Sequence, residues 1–151
     1  MIRLANDHMS RALHAHLYIR LRQACLDLSP ELEPEPIVND WLTRLYNSDV
    51  NLHILVTLDD NYNIIEHSVI DVREVYNQRI VYCYQMVKDK STKDVVDECM
   101  EYLDKLKELT NASCIAFAVA KNAKVYEKRY GYKVSRIMMI KTSQNNESSK
   151  V

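Results

Sequence analysis

The sequence predicts an α/β fold: a mixed, mostly antiparallel sheet with two N-terminal helices, one long central helix and a short C-terminal helix. Three observations carry that class. Apolar residues keep helical spacing over the first 28 positions and again beyond residue 94. Between 51 and 87 they switch to the period-two alternation of strands. The breaks between those strands are short and polar, which makes neighbours antiparallel.

The elements follow in order. Met9, Leu13, Leu17, Leu21, Ala24 and Leu28 form one stripe of a helix over about 7–28, with Asn6 or Asp7 as its cap. SPELEPEP holds all three prolines and must be a loop, with Pro36 opening a second helix through Ile37, Trp41 and Leu45 to about Asn47. Strands are predicted over 51–59, 64–75 and 78–87. The longest helix then places Val95, Val96, Cys99, Tyr102, Leu103, Leu106 and Leu109 on one stripe and stops at Asn111. SCIAFAVA, 113–120, is apolar throughout and reads as a strand covered on both faces, parallel to its predecessor. A short helix over 121–129 and a last strand in YKVSRIMMIK complete one domain, 1–141, followed by a polar tail, 142–151.

Composition narrows the function. A net charge of −1 in 151 residues disfavours a nucleic-acid binder. No apolar run approaches the ~18 residues of a membrane span, so the chain is expected to be soluble and cytoplasmic. Cys25, Cys83, Cys99 and Cys114 lack metal-site spacing and read as buried reduced thiols. His14 and His16 point to nearly opposite sides of a helix and cannot chelate one metal. The single glycine, Gly131, excludes Walker and Rossmann loops, which need clustered glycines to bring backbone against phosphate.

The long helix begins with KSTKDVVD, 90–97. Ser91 and Asp94 have the spacing of a capping box, in which the helix satisfies its own first-turn donors. A bound anion there would meet Asp94 and Asp97 instead of free N–H groups.

The order of elements, together with KNAKVYEKRYGYKVSRIMMIK at 121–141, resembles the GNAT (N-acetyltransferase) superfamily over nearly the whole chain. The resemblance implies acetyl-CoA along a strand splayed from its parallel neighbour, with the pyrophosphate on an Arg/Gln-x-x-Gly-x-Gly/Ala loop. Residues 90–97 occupy that place without either glycine. Each acid at ~4 Å from the pyrophosphate would cost about 1 kcal/mol in water and about 4 at an effective dielectric near 20. For an active enzyme the resemblance implies Tyr126 as general acid, although it precedes Gly131 by five residues and Glu127 stands at the family's spacing of four. It also implies cofactor contacts at Val87, Lys88, Thr92, Lys93 and Asn122.

Glu66, His67, Asp71 and Glu74 are the stock of general bases on the central strands, and solvated strand faces are the reading preferred for them. Lys121, Lys124, Lys128, Arg129 and Lys133 read first as a solvated helix face, with a grip on a CoA phosphate or an acidic partner as the alternative. The expectation is therefore a scaffold that has lost acetyl-CoA, metal-free, with protein partners or a homo-oligomeric assembly. It is similar in style to short acetyltransferase-like proteins of tailed bacteriophages, where a virion location would follow. The alternative is an active acetyl-CoA-dependent N-acetyltransferase.

Overall fold

The computed structural model describes residues 2–5, 9–89, 93–118, 123–134 and 141. It forms two compact units, Met1–Ala118 and Val119–Val151. In the first, β1 (Ile2–Leu4), α1 (Arg11–Leu28), α2 (Pro34–Tyr46), β2 (Leu52–Leu58), β3 (Ile64–Val75), β4 (Gln78–Lys88), α3 (Lys93–Thr110) and β5 (Cys114–Phe117) follow in chain order. The five strands lie in the order β1-β2-β3-β4-β5, antiparallel except for the parallel β4·β5 pair. The second unit holds α4 (Ala123–Tyr130). The α/β class and the three-strand meander are as the hydrophobic periods imply.

Both faces of the central strands are packed. Leu52, Ile54, Val56, Ile64 and Val69 share a cluster with Leu17, Leu21 and Cys25 of α1 and Val38, Trp41 and Leu45 of α2. Alternation sends Leu55, Ser68, Ile70 and Cys83 to the other face, where α3 supplies Cys99, Met100, Leu103 and Leu106. Ser68 Oγ and Cys99 Sγ meet at 3.3 Å, which joins α3 to that face. Fully burying each leucine contributes roughly 1.5–3 kcal/mol.

Several sequence expectations change. Ser10 caps α1, its side chain accepting from the Leu13 N–H at 3.3 Å, and the residues before it include a strand, β1, too short to show a period. α2 begins at Pro34 instead of Pro36, because a proline needs no partner for its missing N–H anywhere in the first turn. Leu109 is 84% exposed, beyond the stripe that Met100 joins. β5 is half-exposed and Cys114 exposed, so neither the doubly covered strand nor four buried thiols holds. The last strand predicted in YKVSRIMMIK and the Ser91–Asp94 capping box fall largely outside the described residues.

With one glycine, the chain makes its left-handed corners from other residues. Asn111 (φ 54°) ends α3, with the Asn111 N–H donating to Glu108 and the Ala112 N–H to Lys107, the double closure of a Schellman motif. Ser48 (φ 55°) ends α2 in the same way, through Ser48 to Leu45 and Asp49 to Arg44. Tyr76 (φ 52°) and Asn77 (φ 62°) form a two-residue hairpin turn between Val75 and Gln78. Gly131 (φ 75°) follows α4.

A left-handed β-carbon costs about 1–2 kcal/mol, and a mirror-image hairpin turn favours Asn-Gly. Tyr76 is 92% exposed and loses no packing when replaced. Tyr76→Asn combined with Asn77→Gly should stabilise the fold by about 1 kcal/mol, read as a higher urea midpoint at unchanged slope. A lower midpoint would contradict the assignment of strain to this turn.

Candidate functional site: a cavity beside a bulged strand

β4 departs from a regular ladder at one residue. Val69 pairs with Gln85 and Ile70 with Cys83, so Tyr84 is an extra residue, a β-bulge. The parallel ladder with β5 runs from Ile80↔Cys114 to Cys83↔Phe117 and ends there, while β4 continues to Lys88. Beyond Cys83, β4 has no strand partner on its β5 side among the described residues. Bulge and ladder end coincide at Cys83 and Tyr84 among the described residues.

Beside the bulge is a cavity of ≈ 290 Å³, lined by the C-terminal end of α1 (Cys25, Leu28), by Leu32, by α2 (Ile37, Asp40, Trp41) and by Tyr84 and Gln85. Trp41 packs on Tyr84 with ring centroids 5.4 Å apart.

Under it runs a buried polar chain. Arg20 donates through Nε to His67 Nδ1 at 3.3 Å and through Nη1 to the Ile64 carbonyl at 3.0 Å and to Asp89 Oδ1 at 2.9 Å. With Nδ1 accepting, the neutral His67 ring carries its proton on Nε2 and donates it to Gln85 Oε1 at 2.9 Å. Gln85 Nε2 then donates to Cys25 Sγ at 3.2 Å, at the cavity wall. Burial, with the Arg20 charge adding to it, lowers the His67 pKa from 6.5 to about 4. Burial also raises the Cys25 thiol pKa.

The other candidate bases are held as well. Asp71 forms a two-pronged pair with Arg44, at 3.0 and 2.7 Å, and accepts from the Tyr84 hydroxyl at 3.4 Å. The Asp71 bonds hold the Arg44 guanidinium above its ordinary pKa. Glu74 pairs with Arg79 at 3.4 Å on the surface. Glu66 lies opposite Thr57 and Lys88 on the α3 face, away from His67, with its pKa raised by burial. Solvated strand faces are therefore the wrong account of three of the four: Glu66, His67 and Asp71 are 4%, 1% and 6% exposed. Helices cover both faces of strands β2 and β3, where His67 and Asp71 are hydrogen-bonded and burial favours the neutral form of Glu66.

Of the residues the resemblance implies, Val87 and Lys88 lie at the end of β4, paired with His67 and Glu66 of β3, Val87 half-buried and Lys88 exposed. Lys93 is the first residue of α3. Thr92 and Asn122 lie outside the described residues. Tyr126 is half-buried on α4, its ring 6.2 Å from that of Tyr130. Sequence reasoning missed Arg20, Cys25, Asp40, Trp41, Tyr84 and Gln85, which meet only because the bulge turns Tyr84 beside Trp41. No glycine or proline marks that bulge in the sequence.

No protein-family model matches the sequence, and no curated protein sequence matches it. Solved structures do share its fold. A predicted acetyltransferase from Clostridium acetobutylicum, solved with acetyl-CoA, is 17% identical with a TM-score of 0.67, covering 96% of this chain and 98% of its own. Glucosamine-6-phosphate N-acetyltransferase from Arabidopsis thaliana is 12% identical, TM-score 0.67, covering 95% and 99%. A transcriptional regulator from Bacillus halodurans C-125 is 11% identical, TM-score 0.69, covering 93% and 97%. The fold is that of the GNAT acetyltransferases. Among the described residues, no helix is long and apolar enough to cross a membrane.

His67 titrates at about 4 in the folded chain against 6.5 unfolded. The unfolded chain binds the proton first, so this stability is present above pH 6.5 and is lost as pH falls toward 4. The shift is worth roughly 3 kcal/mol. His67→Gln should flatten the stability profile over that window relative to the unmodified chain, as measured by urea denaturation at successive pH values. Parallel profiles would show that His67 is not the buried neutral base.

Proposed function

We propose that this GNAT-fold chain has given up acetyl transfer and acts as a structural or assembly protein that binds other proteins. The role matches that of short, glycine-poor acetyltransferase-like proteins in bacteriophage virions, which the chain resembles in style. The observation that carries the reading is the fate of the bases. His67, Asp71 and Glu74 are held by Arg20 and Gln85, by Arg44, and by Arg79, while Glu66 faces α3. None of these four remains to take a proton from an amine in the cavity, whose one lining carboxylate is Asp40.

The residues around the cofactor's pyrophosphate position fit it poorly. The segment from β4 into α3 has no glycine, and Asp89, Asp94 and Asp97 stand in it. Asp89 already occupies the Arg20 guanidinium at 2.9 Å. Losing two charge-assisted amide contacts costs about 1.5–3 kcal/mol each, and affinity falls tenfold for every ~1.4 kcal/mol.

One observation favours the second reading, an active acetyl-CoA-dependent N-acetyltransferase with Tyr126 as acid and Val87, Lys88, Thr92, Lys93 and Asn122 at the cofactor. The bulge at Tyr84 and the open strand edge beyond Cys83 are suited to an extended ligand that bonds to backbone. Calorimetric titration with acetyl-CoA separates the two. The expected result is no binding tighter than about millimolar. A micromolar isotherm overturns the scaffold and puts the enzyme in its place.

A further inference from the structure

Charge is distributed unevenly along a chain whose net charge is only −1. Residues 27–40 contain five acids, Asp27, Glu31, Glu33, Glu35 and Asp40, and no base. Arg22 pairs with Glu35 at 2.8 Å and Gln23 donates to Asp27 at 2.9 Å. Glu31, Glu33 and Asp40 have no cationic partner among the described residues. Leu28, Ser29, Leu32, Ile37 and Asp40 of this stretch line the ≈ 290 Å³ cavity, with Leu28 and Leu32 43% and 51% exposed, and the other acids are their neighbours in sequence.

Residues 121–133 are the opposite. They contain five bases, Lys121, Lys124, Lys128, Arg129 and Lys133, against the single acid Glu127. Lys124, Lys128 and Lys133 are exposed, and beside them Val125 and Val134 are 51% and 62% exposed. One surface is acidic around an apolar hollow, and the other is basic around apolar side chains. Because both surfaces are exposed in a single copy, each is available to a second.

We propose that the chain associates head-to-tail, the basic α4 segment of one copy docking on the acidic cavity rim of the next. The inference rests on the assembly reading above and names the partner as a second copy of this chain. The contact joins unlike patches of two copies, and the limiting mass distinguishes reciprocal closure as a dimer from propagation into a larger ring or filament. Charge attraction between the two patches carries the salt-sensitive part of the association, and apolar side chains entering the hollow add to it.

The test is sedimentation velocity of the full chain in reducing buffer, which keeps the exposed Cys114 from cross-linking copies. The mean mass should rise with protein concentration at low salt and fall toward the monomer near 1 M salt, where the Debye length is about 3 Å. Glu33→Lys with Asp40→Lys should be monomeric, Lys124→Glu with Lys128→Glu should be monomeric, and mixing the two variants should recover association. A chain that is monomeric at every concentration, or whose association survives both reversals, overturns the contact. So does a mixture that fails to reassemble. The salt series on the unmodified chain is informative even if a variant misfolds, and none of these readouts involves acetyl-CoA, whose titration decides the scaffold reading separately.

Discussion

Arg20 ties together three parts of the fold through one buried guanidinium. From α1 it reaches the His67 ring, the Ile64 carbonyl at the start of β3 and the Asp89 carboxylate after β4. A guanidinium can serve three acceptors because its donors are fixed in a plane. The arrangement requires a neutral histidine with Nδ1 as acceptor, which burial imposes. Gln85 can then accept the ring proton and pass its own amide to Cys25. The bulge at Tyr84 sits directly beside this anchored glutamine, so the cavity wall inherits its geometry from Arg20. Removing one member would leave the others desolvated and unpaired, which costs more than the lost bond alone.

The buried polar residues of the central strands answer to a related requirement. A carboxylate or histidine on a doubly covered sheet is costly unless it is paired or neutral. Asp71 illustrates it: Arg44 of α2 binds both its oxygens, and Arg44 is itself tied to Asp49 just past the helix. The pair pins α2 against β3. It does for packing what a general base would have done for an acceptor amine.

How far the sequence could be read depends on the range of each signal. Period-two and helical spacing are local, and they located α1, α2, α3, β2, β3 and β4. Asn111 was legible as a stop because a left-handed corner favours asparagine. β1 was not, since three residues carry no period. The bulge was invisible because Tyr84 looks like any strand residue until its partners on β3 are known. The burial of Glu66, His67 and Asp71 was misjudged for a related reason: alternation reports which face a residue takes, whereas what covers that face is decided by α1, α2 and α3 from distant parts of the chain. The glycine-free segment before α3 was the one functional signal readable from composition alone.

The short parallel ladder of β5 has a consequence for how the molecule opens. Four residue pairs attach β5 to β4, and its side chains are half-exposed, whereas β3 and β4 are paired along nearly their whole length. Contacts within the meander are close in sequence, but β5 must wait for α3 to cross before it can dock, which makes it late to form. Amide hydrogens on β5 should therefore be less protected than those of β3 and β4, and local fluctuation on that side should begin at β5 while the anchored β3–β4 hairpin remains closed.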